Sequence, residues 1–294
     1  MTIRERNPEP TNPLGMDGIE FIEFATSQPQ ALGSVLQMMG FVPVARHRSR
    51  EVMLYRQGPM NLIVNAHPDA LPGLSAPAST PVPSAFALRV RDSAQAYGHA
   101  LDLGAWEMPT RASAMELNIP GIHGVGDSLI YFVDRTKDFS IYDVDFLPLP
   151  GADPAPPAIA GLHYFGIVQS VYAERSRDWI DFYQNLLGFS VLPGGQYFGI
   201  LPKGTLLESP CHKFYLQLVE PPPGSEDIVW EESLLRIGLG APDVLAATKA
   251  LEKRGAVFVD HGSVQPSAKG ALTQVYLGGV TFELVVSHLP PAAK

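Results

Sequence analysis

The apolar and polar positions of this chain switch between two periods, and the whole alternation occurs twice. Dense apolar runs of strand length open each half, Gly18-Ile19-Glu20-Phe21-Ile22-Glu23-Phe24 and Gly161-Leu162-His163-Tyr164-Phe165-Gly166-Ile167. Helical spacing follows. Trp179, Ile180, Phe182, Tyr183, Leu186 and Leu187 recur on one face, and Gly188 is placed to end the helix as a left-handed cap. Hairpin strands are predicted over 52–55, 61–65, 196–200 and 213–219, and further strands over 86–90 and 234–239. Asp92 and Asp243 then stand as N-caps of helices that stop at Gly104 and Gly255. Each half is expected to close in two apolar strands, one ending on Ile141-Tyr142-Asp143 and the other on Thr281-Phe282-Glu283.

Repetition on this scale indicates a duplicated module. Met39-Gly40-Phe41 answers Leu187-Gly188-Phe189, and Arg91-Asp92-Ser93 answers Pro242-Asp243-Val244. The pattern is βαβββ four times, two units per module. Eight strands per module can curl into a half-open barrel whose inner face holds a ligand. The expected class is α+β. Residues 1–15 form a loose arm, 16–146 the first module, 147–158 a proline-rich linker and 159–294 the second module. A proline-rich stretch over 68–83 is expected as a surface loop.

Composition narrows the function classes. A chain of 294 residues with 46% apolar and 17% charged positions suits two soluble globular modules. The net charge of −9, with no basic stripe, argues against nucleic acid. The single cysteine, Cys211, excludes an intrachain disulfide framework and fits a reducing cytoplasm. No signal peptide is legible, and no apolar run approaches the roughly 20 residues that span a bilayer. A cytoplasmic protein acting on a small molecule is the expectation.

Several runs of the first module resemble a known family. Asn12-Pro13-Leu14-Gly15, Met39-Gly40-Phe41, His47-Arg48-Ser49, Leu54-Tyr55-Arg56-Gln57-Gly58 and Ser140-Ile141-Tyr142-Asp143-Val144-Asp145-Phe146 all resemble the 4-hydroxyphenylpyruvate dioxygenase family of the vicinal oxygen chelate superfamily. The match runs over roughly residues 12–146, in the module that is structural in that family. The resemblance implies two tandem vicinal-oxygen-chelate modules, with iron(II) held in the second by two histidines and a glutamate. Such a triad leaves positions open for a 2-oxo acid and O₂. His163 matches the first histidine and Glu283 the carboxylate, so both are implied as metal ligands. Gln274 matches a substrate-contacting glutamine. Arg236 falls where the second histidine belongs, and a guanidinium offers no lone pair.

Two arrangements therefore stand open at the second module. Arg236 and Glu283 pair in place of the metal, or iron is held by His163 and Glu283 with the substrate, Arg236 pairing the substrate carboxylate. His212, His261 or His288 would be the only spare ligands, and none has the family's spacing. Three readings follow: an Fe(II)-dependent oxidation of a 2-oxo acid or related aromatic acid; a metal-free enzyme using Glu283 as base and Arg236 as clamp on a carbonyl or carboxylate substrate; and a silent binding protein for a small organic acid. His47, His67, His99 and His123 are expected to be solvated, Cys211 to have no role, and Glu20 and Asp143 to be structural residues at the positions of His163 and Glu283. The family's closing helix has no counterpart after Ser287-His288-Leu289, so the pocket is expected either to be more open or to be covered by a partner subunit of a homo-oligomer.

Overall fold

The computed structural model describes residues 12–67, 80–109, 117–134, 140–194, 198–200, 204–224, 230–262 and 264–288. The proline-rich 68–83 stretch lies mostly outside these residues, as does most of the 1–15 arm. Within the arm, Leu14 is buried and Asn12 Oδ1 accepts the Met16 N–H at 2.7 Å.

The first module runs β1 (Gly18–Ala25), α1 (Pro29–Met38), β2 (Val42–His47), β3 (Val52–Gln57), β4 (Met60–Asn65), β5 (Val82–Val90), α2 (Ser93–Asp102), β6 (Gly121–His123), β7 (Leu129–Asp134), α3 (Ile141–Asp145) and β8 (Phe146–Pro148). Its eight strands pair in the order β6-β7-β5-β1-β4-β3-β2-β8. The second module runs β9 (His163–Ser170), α4 (Ser176–Leu187), β10 (Ser190–Val191), β11 (Thr205–Glu208), β12 (Tyr215–Val219), β13 (Ser233–Ala241), α5 (Val244–Glu252), β14 (Gly270–Leu272) and β15 (Phe282–Val286). Its sheet has seven strands, β10-β11-β12-β9-β13-β15-β14, one fewer than expected. Where the missing strand would lie, only isolated bridges such as Phe258–Thr273 form. Both sheets are open-edged, as half-open barrels require.

Local chemistry explains the elements. Asp92 accepts the Gln95 N–H and Asp243 the Ala246 N–H, each at 2.9 Å, so both N-caps form as expected. Gly188 ends α4 at φ 77, a conformation that a Cβ would disfavour. The four long helices pack their apolar stripes on the outer faces of the sheets, and one core runs continuously from Ile22 and Phe86 to Leu239 and Phe282. The Tyr164 hydroxyl crosses between modules to donate to the Asn61 carbonyl. Among the described residues no helix is long and apolar enough to cross a membrane.

Two expected strands are not strands. Phe198–Ile200 is a turn, and the hairpin strand is β11 instead. Ile141–Asp145 is a short helix, started by a capping box in which Asp143 Oδ2 accepts both the Ser140 N–H and hydroxyl at 2.9 Å. These bonds hold the Asp143 carboxyl below its ordinary range. The helix has a place to go. It packs Ile141 and Tyr142 against a second small core of Phe21, Leu54, Ile63, Val133 and Phe146 on the inner face of the first sheet. The first half-barrel is thus filled from within.

Strand register corrects the expected correspondence between modules. The bulge that separates Ile19–Leu88 from Phe21–Ala87 falls on Glu20, and the one that separates Tyr164–Leu239 from Gly166–Gly238 falls on Phe165. Glu20 therefore matches Phe165, not His163. Tyr131 faces Ala87 as Glu283 faces Gly238, so the counterpart of Glu283 is Tyr131, not Asp143. Glu20 is structural, as expected, and accepts from Arg89 Nε at 2.6 Å.

Candidate functional site: an ion pair on the open inner face of the second half-barrel

The inner face of the second sheet is floored by glycine. Gly166, Gly238 and Glu283 stand in one row across β9, β13 and β15, because Gly238 faces both Gly166 and Glu283. Two residues before Gly238 on the same strand, Arg236 points to the same side. Its Nε donates to Glu283 Oε2 at 3.2 Å, and the two side chains are only 13% and 5% exposed. No other partner of this guanidinium is found among the described residues.

The Phe198–Ile200 turn lies against this carboxylate. The Ile200 N–H bonds Glu283, and a Cβ built on Gly199 would lie 2.5 Å from Oε1. Burial raises the Glu283 pKa, and the opposing effects of Arg236 and the Ile200 bond do not cancel it. The site therefore presents a carboxyl of raised proton affinity beside a fixed positive charge.

A cleft of about 330 Å³, its open mouth included, lies over Glu283, with Arg236 behind the carboxylate and outside the lining. Three rings line it: Phe165 and Phe198 meet edge to face at 5.1 Å, and Tyr215 closes the triangle at 5.0 and 4.7 Å. Sequence reasoning missed this wall. The signal was available in β12, where Tyr215 and Gln217 alternate with the fully buried Leu216 and Leu218.

His163 belongs to a different hydrogen-bonded set. Its Nδ1 lies 3.0 Å from the Gly161 carbonyl, which can only accept, so Nδ1 carries the proton. Nε2 then accepts from the Ser287 hydroxyl at 3.1 Å. The ring covers Gly240, where a Cβ would come within 2.3 Å of Nε2. Burial lowers its pKa and keeps it neutral. Gln274 is exposed, held through its backbone N–H to the Val257 carbonyl at 3.0 Å, and is not part of the cleft lining. The structure thus brings Arg236 and Glu283 together, sets His163 one row away, and places Gln274 apart.

The remaining histidines do not complete a metal site. His212 pairs with Glu208 at 3.1 Å, and His261 and His288 are exposed. His47, His67, His99 and His123 are half-buried, not solvated as expected, and buried ring nitrogens of His99 and His123 have no hydrogen-bond partner among the described residues. The iron(II) that the resemblance implies needs at least three donors on one face. Here Arg236 has no lone pair and engages Glu283, Nε2 of His163 is engaged by Ser287, and among the described residues no group of three or more His, Cys, Asp or Glu could hold a metal ion. The donor set does not fit the metal.

Comparison with known proteins places this geometry in a lineage. A family model described as hydroxyphenylpyruvate dioxygenase, N-terminal, matches residues 10–147. The 4-hydroxyphenylpyruvate dioxygenase of Pseudomonas sp. is 41% identical over 200 residues, covering 67% of this chain and 55% of that protein. The chain thus spans about half the length of that relative. The 4-hydroxyphenylpyruvate dioxygenase of Pseudomonas aeruginosa is 32% identical over 265 residues, covering 85% of this chain and 73% of that protein. A solved variant of 4-hydroxymandelate synthase from Streptomyces coelicolor shares the fold at a TM-score of 0.71 and 14% identity, over 94% of this chain and 95% of that one. The repeated modules, the half-open sheets and these relatives together make the chain a member of the 4-hydroxyphenylpyruvate dioxygenase family, within the vicinal oxygen chelate fold.

Proposed function

We propose that this chain is a metal-independent member of the family that binds a small aromatic 2-oxo acid in the second half-barrel and moves a proton next to its carbonyl. The observation that carries the reading is the Arg236–Glu283 pair, with Arg236 at a position that the resemblance assigns to a metal ligand. A fixed guanidinium takes over the role of a cation beside the substrate. Its remaining N–H groups can pair a carboxylate on two bonds, and its charge opposes the negative charge that develops on an enolising carbonyl. Glu283, with its raised proton affinity, is the base for the adjacent carbon. The Phe165, Phe198 and Tyr215 rings supply the surface for an aromatic side chain. The names of the Pseudomonas relatives, which act on 4-hydroxyphenylpyruvate, support the substrate class.

The test uses the full chain stripped of metal with a chelator. Phenylpyruvate and 4-hydroxyphenylpyruvate are titrated by calorimetry with and without the chelator, and hydrogen–deuterium exchange at the carbon beside the carbonyl is followed by proton NMR. Binding should be indifferent to chelator and lost in Arg236→Ala, and exchange should be lost in Glu283→Gln. Binding without exchange would leave a silent binding protein. Binding and oxygen uptake that both depend on added Fe(II) would restore the dioxygenase reading and overturn this one.

A further inference from the structure

Tyr215, Glu208 and His212 form a hydrogen-bonded line from the cleft to bulk water. Glu208 on β11 lies directly opposite Tyr215 on β12, and the Tyr215 hydroxyl donates to Glu208 Oε1 at 3.2 Å. The second carboxylate oxygen, Oε2, is 3.1 Å from His212 Nδ1. The Tyr215 ring lines the cleft beside Phe165 and Phe198, Glu208 is partly covered, and His212 is 58% exposed. One end of the line therefore faces the site and the other faces solvent.

The turn that carries His212 is built to hold it there. His212 sits at φ 56, in the left-handed region that a non-glycine residue enters only when its surroundings hold it. Its N–H donates to the Ser209 carbonyl at 2.9 Å, and Ser209 Oγ accepts the Lys213 and Phe214 N–H groups at 3.3 Å. Of the other ionisable groups in the turn, Lys213 pairs with Asp17, and the Cys211 thiol lies 3.4 Å from Ser209 Oγ with its pKa pushed up by burial. Glu208 is left as the ionic partner of His212. A surface ion pair alone needs no third member, and here the third member is a cleft residue.

We propose that His212, Glu208 and Tyr215 are a proton relay for the cleft, with Tyr215 as the acid that serves the substrate carbonyl. This rests on the reading of the site given above. In the step, the C–H bond beside the carbonyl breaks and its proton passes to Glu283. The Tyr215 O–H bond breaks as its proton forms the enol O–H. Tyr215 regains a proton through Glu208 from His212, which refills from water. Glu283 gives its proton up to water at the open cleft and takes a deuteron back, so the reverse step from deuterated solvent places deuterium on carbon, and nothing is oxidised or reduced. Burial and the neighbouring Glu208 raise the Tyr215 pKa, so the phenol holds the proton it is to donate.

The experiment is exchange of phenylpyruvate protons in deuterated solvent at low buffer concentration, with binding measured in parallel by calorimetry on the full chain. Tyr215→Phe should slow exchange about 100-fold, and His212→Gln and Glu208→Gln about tenfold, while His212→Gln and Glu208→Gln bind within about twofold of wild type. Added imidazole buffer should restore the His212→Gln rate by delivering protons to Glu208, and should leave Tyr215→Phe slow. A merely structural role for His212 would not respond to buffer. Wild-type exchange with unimpaired His212→Gln and Glu208→Gln variants would overturn the relay and leave the Arg236–Glu283 reading standing. Wild type that binds phenylpyruvate without exchanging it, or does not bind it, overturns both.

Discussion

Tyr131 stands on the same rung of the first sheet as Glu283 on the second, since each faces the residue that its central strand places opposite Phe21 or Gly166. Equivalent positions of the two sheets thus carry a ring in one module and a carboxylate in the other. The difference follows from what covers each sheet. In the first module α3 lays Ile141 and Tyr142 into the inner face, where Tyr131 packs with Phe21 at 5.9 Å. In the second the inner face keeps a cleft over Glu283.

Tyr142 should therefore matter to stability through its ring and not through its hydroxyl. The ring lies beside Phe146 at 6.0 Å and under the Arg56 guanidinium at 5.3 Å, whereas its hydroxyl reaches the Glu20 carbonyl only at 3.5 Å. Tyr142→Ala is expected to cost at the lower end of about 3–5 kcal/mol, because the ring is half-buried. Tyr142→Phe should cost less than about 1 kcal/mol. Urea denaturation of the two variants checks the order, and equal losses would place the energy in the hydroxyl.

Arg236 and Glu283 should be unequal alone and mild together. Arg236→Leu leaves a buried carboxylate without its cation, which costs about 3–5 kcal/mol in comparable pairs. Replacing both residues by leucine removes the uncompensated charge, and stability should return to within about 1–2 kcal/mol of wild type. A double-variant loss equal to the sum of the Arg236→Leu and Glu283→Leu losses would show that the pair is not coupled.

Much of this fold is legible in the sequence, and the limits are physical. The caps Asp92, Asp243 and Gly188 act locally, so their residue types suffice to place them. That Glu283 needs a partner was legible, because an unpaired buried carboxylate is too costly to leave on an apolar strand, but the residues alone leave open whether Arg236 or a metal supplies it. The correspondence of Glu20 with His163 failed because the two strands align two residues away from the register their leading glycines suggest, Gly18 matching His163, and a shift of two leaves the alternation of faces unchanged. Ile141-Tyr142-Asp143 reads as a strand by its side chains, yet the Ser140–Asp143 capping box and the inner core make it helical. The Tyr215–Glu208–His212 line depends on cross-strand register, which spacing along the chain does not encode.

Metal binding should be gained, not lost, by changing Arg236. Arg236→His removes the cation from Glu283 and places a lone-pair donor two residues from the rung that Glu283 shares, with His163 one row beyond. Anaerobic titration of chelator-stripped protein with Fe(II), or with Co(II) followed by its visible spectrum, should give no tight site in wild type and one per chain in Arg236→His. One tight equivalent in wild type, lost in Glu283→Ala, would mean that His163 leaves Ser287 to become a ligand.

Glu23 should make the first module more stable in mild acid. It is buried on β1, accepts from Asn65 Nδ2 at 3.0 Å, and burial raises its pKa from 4.5 to about 7 against the lowering effects of Asn65 and Arg50. The folded state thus binds this proton more tightly than the unfolded chain. The linked stability is fully present below about pH 4.5 and is lost as pH rises through about 7, a change of about 3 kcal/mol. Urea unfolding between pH 4.5 and 8 should show wild type losing stability relative to Glu23→Gln across that window. Parallel curves would mean that Glu23 remains ionised in the fold.

Gly238 and Gly199 should separate the floor of the cleft from its rim. A Cβ on Gly238 meets nothing closer than the Gly166 backbone at 3.4 Å and Phe165 at 3.5 Å, which is ordinary contact. Gly238→Ala should therefore fold normally, and Gly238→Leu should fill the space over the Gly238–Glu283 rung while the sheet stays intact. Phenylpyruvate affinity is expected to fall at least about tenfold in Gly238→Leu, the cost of about 1.4 kcal/mol of lost contact. Gly199 is different, because its φ is 68 and a Cβ would lie 2.5 Å from Glu283 Oε1. Gly199→Ala should strain the backbone by about 1–2 kcal/mol and push Glu283 out of its place between Arg236 and the Ile200 N–H. Calorimetric binding and thermal melting of the variants distinguish the two effects. If Gly238→Leu binds phenylpyruvate like wild type, the ligand does not sit on this floor and the site must be sought elsewhere on the sheet.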